Sequence, residues 1–333
     1  MKRPRISVVL PFFNAETTLA PAVESIRRQT YEDWELILFD DGSQDLSAEV
    51  AEGLARADAR LRLIRSDHVG IVEALARGCA ESRGEYIARM DADDVSYPDR
   101  LDRQLAECAK DPRVGLCGTQ VRTTGGAVGY GRRRYDRWIN SLVTHEDMVR
   151  ELFVECPIPH PAFFMPRKAY EAVGGYRDHG WPEDYDLCMR MFLKGRRLAK
   201  VAAPLLDWRE SPGRLSMVSD RYSPAQFRAI KRHYMFKTHL AGGRAFCQWG
   251  AGEVGKLWLR EWGDRRPEYV IDINPRKIGR RIHGYKIIGP EDLVRTGRAY
   301  IVVAVGAPGA RDEIRQHLGA QAYTELEDFL FVA

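Results

Sequence analysis

The stretch RGEYIARMDADDVSYPDR, Arg83 to Arg100, decides the fold. After Gly84, the apolar-leaning run Tyr86–Met90 reads as a strand. Four aspartates follow at 91, 93, 94 and 99, three of them within four residues. Charges so close repel one another, so a cation, a helix N-terminus or solvent must neutralise them. Pro98 stands just before a helical pattern over Asp99–Lys110, and Asp99 is expected to cap that helix. Asp91, Asp93 and Asp94 are left at the end of the strand. A hard divalent cation would find an all-oxygen face there; the plain alternative is a solvated acidic turn.

Outward from this stretch the chain alternates strand and helix patterns. Ile6–Leu10, Trp34–Phe39 and Leu61–Ile64 read as strands, with Val114–Cys117 as a fifth. Helical spacing fills Thr17–Gln29, Leu46–Arg56 and Val69–Ser82. This is the pattern of an α/β domain with a mainly parallel sheet. Ligands of such sheets lie beyond the carboxyl ends of the strands. Three polar clusters fall there: Asn14–Glu16, Asp40–Ser43 and Asp91–Asp94. Residues 125–214 are less regular, and 223–240 read as a basic, aromatic helix.

The chain has 333 residues, enough for two domains, and 44% hydrophobic residues, enough for packed cores. Its net charge of +4 is spread along the sequence, which disfavours nucleic acid as a partner. Six cysteines without a CxxC pair suggest neither a zinc site nor a disulfide scaffold, and a reducing cytoplasm suits them. The start MKRPRISVVLPFF mimics a signal peptide. Pro11 interrupts its apolar run, however, and the segment reads better as a first strand ending in a binding loop.

The ordered set PFFNAE (11–16), LILFDDGSQD (36–45), RGEYIARMDADD (83–94) and WPEDYDL (181–187) resembles the family 2 glycosyltransferases over roughly residues 6–216. The resemblance implies a GT-A nucleotide-diphospho-sugar transferase fold, with a mixed, mainly parallel sheet between helices. It also implies inverting sugar transfer from a nucleotide donor, a UDP-sugar by family habit, to a glycan or lipid-linked acceptor in cell-surface polysaccharide synthesis. Carried onto this sequence, Pro11, Phe12 and Glu16 would line the nucleoside pocket and Asp41 would meet the base. Asp91 and Asp93 match the DxD motif on the donor. Asp93 and Asp94 would hold Mn2+ or Mg2+. Glu183 and Asp184 match the acidic pair beside the acceptor, with Asp184 as general base. The same three acids of that segment, Asp186 included, suit the first turn of a helix on charge grounds alone. His160 and Trp181 are assigned to the acceptor side, with a structural histidine and a buried aromatic as the plain readings.

Two departures stand out. Leu75 and Ala76, beside Arg77, replace an Arg and Asn common in relatives. WRESPGRLS (208–216) lacks a late histidine, so Arg209 or Arg214 would have to neutralise phosphate.

From Arg244 the pattern restarts with strand, glycine turn and helix. Gly250, Gly252 and Gly255 have GxGxxG spacing, and Asp272 ends the next strand, 22 residues after Gly250. This suits a nucleotide or dinucleotide ligand, with the acid on a ribose hydroxyl. The region resembles small Rossmann-like domains attached to surface-polysaccharide enzymes. The expected division is 1–220, a helical linker 221–242, and 243–333. A dinucleotide-dependent oxidoreductase or nucleotide-sensing regulator is the alternative function. The expected location is cytoplasmic; the basic helix RAIKRHYMFKTHL (228–240) could lie on the inner membrane face, with an interdomain helix as the favoured plain reading.

Overall fold

A computed structural model describes residues 3–126, 129–210 and 214–333. The chain forms two compact units. One comprises the residues up to Met148 together with Pro157–Tyr222; the other comprises Val149–Cys156 and Ser223–Ala333.

In the first unit β1 (Ile6–Phe12), α1 (Leu19–Arg27), β2 (Trp34–Asp40), α2 (Ser47–Ala57), β3 (Leu61–Arg65), α3 (Ile71–Glu81) and β4 (Tyr86–Arg89) alternate as the hydrophobic periodicity predicts. Every residue of β1 and β2 is buried. That explains their near-continuous apolar runs, since strands covered on both faces lose the in–out alternation. β1 pairs in parallel with β2 and β4, placing Val9 opposite Arg89. The apolar N-terminal run is thus an internal strand.

Then follow β5 (Val95–Ser96), α4 (Arg100–Ala109), β6 (Val114–Thr124), α5 (Tyr130–Ser141), α6 (His145–Glu151), β7 (Phe164–Pro166), α7 (Arg167–Ala172), α8 (Glu183–Leu193), β8 (Arg197–Arg209) and α9 (Leu215–Val218). The sheet order is β3-β2-β1-β4-β7-β6-β8-β5. β7 is antiparallel to β4 and β6, and β5 to β8. The sheet is therefore mixed.

The expected fifth strand ends at Cys117, whereas β6 runs on to Thr124. Its extension GTQVRTT pairs with β8 through register shifts around Thr119–Val121, which breaks the simple alternation. Asp99 occupies the N-cap position of α4 but its side chain makes no capping bond. It pairs instead with Arg103 one turn on, at 3.3 Å, so the expected cap is corrected to an i,i+4 ion pair.

The second unit contains α10 (Pro224–Lys237), β9 (Phe246–Trp249), α11 (Glu253–Glu261), β10 (Val270–Ile271), β11 (Arg281–Ile282), β12 (Tyr285–Ile288), β13 (Tyr300–Val303), α12 (Ala310–Ala320) and β14 (Phe329–Phe331). Its sheet order is β11-β12-β10-β9-β13-β14, parallel except for the β11–β12 pair.

The helix α10 belongs to this unit rather than to a free linker. Lys231 is buried and donates to the carbonyls of Val154 at 2.6 Å and Val332 at 3.2 Å. Arg228 pairs with Glu261 at 2.8 Å. These cations, which suggested a membrane surface, are engaged inside the unit. Among the described residues no helix is long and apolar enough to cross a membrane.

Candidate active site

The acidic loop is held from both ends. Met90 N–H donates to Val9 O at 3.1 Å, continuing the strand pairing. β5 then pairs with β8, setting Val95 opposite Asp207. Between these anchors, oxygen atoms of Asp91, Asp93 and Asp94 lie within 4.8 Å of one another. Asp91 forms an ion pair with buried Arg89, the last residue of β4.

Asp94 is 1% exposed. Its Oδ1 accepts the Arg209 backbone N–H at 2.8 Å, and its Oδ2 is buried without a hydrogen-bond partner. Such an orphan needs an explanation, and an ion is one. Burial, with Asp91 and Asp93 alongside, pushes the Asp94 carboxyl well above the usual range. Burial and Asp91 also raise Asp93, with Arg214 acting in the opposite direction. An all-carboxylate donor set with one buried, unsatisfied oxygen fits a hard divalent cation.

At the neighbouring strand ends three loops interlock. Asp41 accepts the backbone N–H groups of Val69 at 2.7 Å and Gly70 at 3.0 Å. Asn14 accepts from Gln44 N–H at 2.8 Å, and Glu16 from Leu46 N–H at 3.1 Å. The expected lining needs adjustment. Pro11 and Phe12 bury their side chains inside β1, while Phe13 is 43% exposed against the His68 ring at 4.4 Å. The exposed aromatic ring at this strand end is therefore Phe13, which stands in the bend just after β1. Arg77 is engaged by Glu73 at 2.7 Å. Of the two late arginines, Arg214 acts on Asp93 and stacks over Trp208 at 4.9 Å, while Arg209 contributes its backbone; residues 211–213 between them lie outside the described residues.

The WPEDYDL segment opens α8, with Glu183, Asp184 and Asp186 in its first turn. The three carboxylates differ sharply. Asp186 is buried and locked: it accepts Trp181 Nε1–H at 3.0 Å and pairs with Arg190 at 2.7 Å. Glu183 is 1% exposed, with the Tyr222 hydroxyl 2.9 and 2.8 Å from its two oxygens. Asp184 is only half-buried.

His160 is buried. Its Nε2 hydrogen-bonds the Tyr176 hydroxyl at 2.8 Å and its Nδ1 lies 3.5 Å from Glu183. Burial, reinforced by Arg89, holds its pKa well below the ordinary histidine value. The expected acceptor contact is therefore corrected: both ring nitrogens of a neutral His160 face protein groups, and it supports Glu183. Trp181 is half-buried.

Arg89 joins the two halves of the site electrostatically. It acts on Asp91 and Asp94 and also on Glu183, His160 and Tyr176. Its clue in the sequence is a cation ending an apolar strand directly before three acids. Tyr176 and Tyr222 carry no such clue.

Burial, with Asp184 adding to it, raises the Glu183 carboxyl from the ordinary 4.5 to about 7. Between these two pH values the folded chain holds a proton that the unfolded chain releases. Stability therefore falls as pH rises through this window, and the contribution is fully retained below it. Glu183→Gln keeps an acceptor for Tyr222 but cannot ionise. Thermal denaturation at pH 5 and pH 8 is expected to show a smaller loss of Tm in the variant than in the wild type. Equal losses would assign the pH dependence elsewhere.

The family model "Glycosyl transferase family 2" matches residues 7–174, ending before the Glu183–Asp184 pair. EpsE of Bacillus subtilis (strain 168), which bears a glycosyltransferase name, is 32% identical over 225 residues, covering 66% of this chain and 78% of EpsE. EpsJ of the same organism is 27% identical, covering 70% of this chain and 69% of EpsJ. Among solved structures, S. aureus TarS 1-349 in complex with UDP-GlcNAc aligns with TM-score 0.56 at 17% identity, covering 70% of this chain and 66% of that one. Mannosyltransferase PcManGT from Pyrobaculum calidifontis, in complex with GDP-Man and Mn2+, aligns with TM-score 0.51 at 19% identity, covering 71% and 70%. At these identities the structures speak to the fold, a GT-A-like α/β fold with a mixed sheet. The family model spans half the chain and includes the acidic loop, and EpsE extends the likeness over most of its own length: the chain is a member of glycosyltransferase family 2.

Proposed function

We propose that the first unit is an inverting, metal-dependent glycosyltransferase. It moves a sugar from a nucleotide-diphosphate donor, a UDP-sugar, to a saccharide or lipid-linked acceptor in cell-surface polysaccharide synthesis. The observation that carries this reading is the buried, unpartnered Oδ2 of Asp94 inside a cluster of three carboxylates. Nucleotide sugars in TarS and PcManGT, and the Mn2+ in the latter, support it by likeness of fold.

In this reading Asp93 and Asp94 hold Mn2+ or Mg2+, and Asp91, set by Arg89, faces the donor. The bound cation would offset charge developing on the departing diphosphate. Asp41, with Glu16 and the strand end at Pro11–Phe13, receives the nucleoside. Asp184 takes the proton of the acceptor hydroxyl as that oxygen bonds to the anomeric carbon. The bond from this carbon to the diphosphate oxygen breaks, and its electron pair leaves with the nucleoside diphosphate. A single displacement of this kind inverts the centre. Its demand on the protein is placement of one carboxylate opposite the leaving group. Trp181 offers a ring face to the acceptor.

The test is release of nucleoside diphosphate from a panel of UDP-, GDP- and TDP-sugars with Mn2+. Release from at least one donor is expected, falling to background in EDTA and restored by excess Mn2+. Release that persists unchanged in EDTA would overturn the metal-dependent reading.

A further inference from the structure

The second unit has a cleft of about 620 Å³ that sugar transfer does not use. It lies at the carboxyl ends of β9, β10 and β13. β9 is central there, with β10 on one flank and β13 on the other. From β9 the chain passes through α11 to β10 on one side and later returns to β13 on the other. A crevice at such a divergence is where open parallel sheets take ligands.

The glycine motif divides by function. A Cβ on Gly250, at φ +114°, would meet Ala304 O at 2.5 Å, and one on Gly255 would meet Gly250 O at 2.1 Å. Packing of the turn accounts for both. Gly252 has an ordinary φ of −80°, and a Cβ there would find nothing within 4 Å. Packing does not explain it, and its missing side chain keeps the mouth of the cleft open.

Asp272 is not disposed as the bare acid that a dinucleotide fingerprint expects on a ribose. It is 7% exposed and accepts Ala251 N–H at 2.9 Å, Asn274 N–H at 2.8 Å and Lys277 Nζ at 2.9 Å. Lys277 also donates to Ala251 O at 3.1 Å. An ammonium has three donors, so one remains for a ligand beside the open glycine turn. The expected acid-to-ribose contact is therefore replaced by a cation presented at the turn.

The other walls constrain the ligand further. Ile273, 71% exposed, and Pro290 offer an apolar shelf on the β10 flank. Glu313 and His317 lie on the α12 flank, and Glu253 opens α11. Two exposed carboxylates near one spare lysine donor oppose a terminal phosphate with its extra charge. The same carboxylates are good acceptors for hydroxyl groups.

We propose that this cleft binds a diphosphate diester that joins a nucleoside to a second, hydroxylated ring. The base lies on the Ile273–Pro290 shelf and the diphosphate at Gly252 and Lys277. The hydroxylated ring faces Glu313 and His317. Nucleotide sugars and dinucleotides share this chemistry, and the diester carries one negative charge fewer than a free nucleoside diphosphate.

The test is calorimetric titration of the full chain in EDTA with UDP-glucose, NAD+, UDP and ADP. The wild type is compared with Gly252→Asp, which sets a carboxylate in open space at the mouth, and with Gly252→Ala, which adds only a methyl group. Only binding sensitive to Gly252→Asp is attributed to the cleft, so the result is independent of sugar transfer at Asp93 and Asp94. At least one of the two diesters is expected to bind about tenfold or more tightly than its free diphosphate. Gly252→Asp is expected to weaken it about tenfold or more, with Gly252→Ala close to wild type and the Tm of both variants unchanged. UDP-glucose alone would identify a nucleotide-sugar site and NAD+ alone a dinucleotide site. The proposal fails if neither diester binds, if Gly252→Asp leaves binding intact, or if UDP or ADP binds as tightly as the diester.

Discussion

Asp94→Asn is expected to reduce sugar transfer by at least about a hundredfold while leaving the chain folded. The two halves of this expectation have separate causes. The amide retains an oxygen for the Arg209 N–H, so the bond that fixes the side chain survives. It also removes one of three crowded charges, which the chain without metal gains from rather than loses. What disappears is the buried anionic Oδ2, the one oxygen of the cluster shown to be unsatisfied. A neutral amide NH2 in its place cannot ligate a hard cation. The activity assay should therefore be paired with a binding readout. Mn2+ with UDP is expected to raise the Tm of the wild type by mass action and to raise that of Asp94→Asn far less. Asp93→Asn, at the half-buried end of the cluster, is expected to behave alike. Full turnover together with an undiminished Mn2+ shift in both variants would remove the cation from this loop.

What was legible in the sequence follows how locally each feature is determined. β1, α1, β2, α2, β3, α3 and β4 each carry their own periodicity and their own punctuation, and each appears within a few residues of its expected place. The acidic loop was legible for the same reason, since one short stretch contains the strand, the carboxylates and the helix after them. β7 and β8 were not. β7 is three residues long, and its partners β4 and β6 are far away in sequence. β8 contains Pro204 and faces shifts of register in β6. Burial was only partly legible: Pro11 and Phe12 belong to the motif, yet the exposed ring is Phe13. The setting of Glu183 was hidden, because Tyr222, His160 and Tyr176 converge on it from separate segments. The resemblance alone names Asp184 of the pair as the base, and only tertiary packing supplies a physical difference between the two acids.

That difference underlies the second large effect. Asp184→Asn is expected to keep donor affinity and KM for the donor near wild type while lowering kcat by about 10²–10⁴, the usual worth of a positioned general base. Of the three acids opening α8, Asp186 is committed to Trp181 and Arg190. Glu183 is enclosed, bonded through the Tyr222 hydroxyl, and holds its proton up to a pH of about 7. A carboxyl in that setting is hindered from reaching an acceptor hydroxyl and from taking its proton at neutral pH. Asp184 is half-buried in the first turn of the helix and is the most accessible of the three. Glu183→Gln, preserving the acceptor for Tyr222, is therefore expected to cost less in kcat than Asp184→Asn. Single-turnover assays with saturating donor read the difference directly. If Asp184→Asn turns over like the wild type, it is not the base. If Glu183→Gln suffers the larger loss, proton transfer belongs to Glu183, and its elevated pKa would then be the tuning of the base rather than the cost of burying a structural acid.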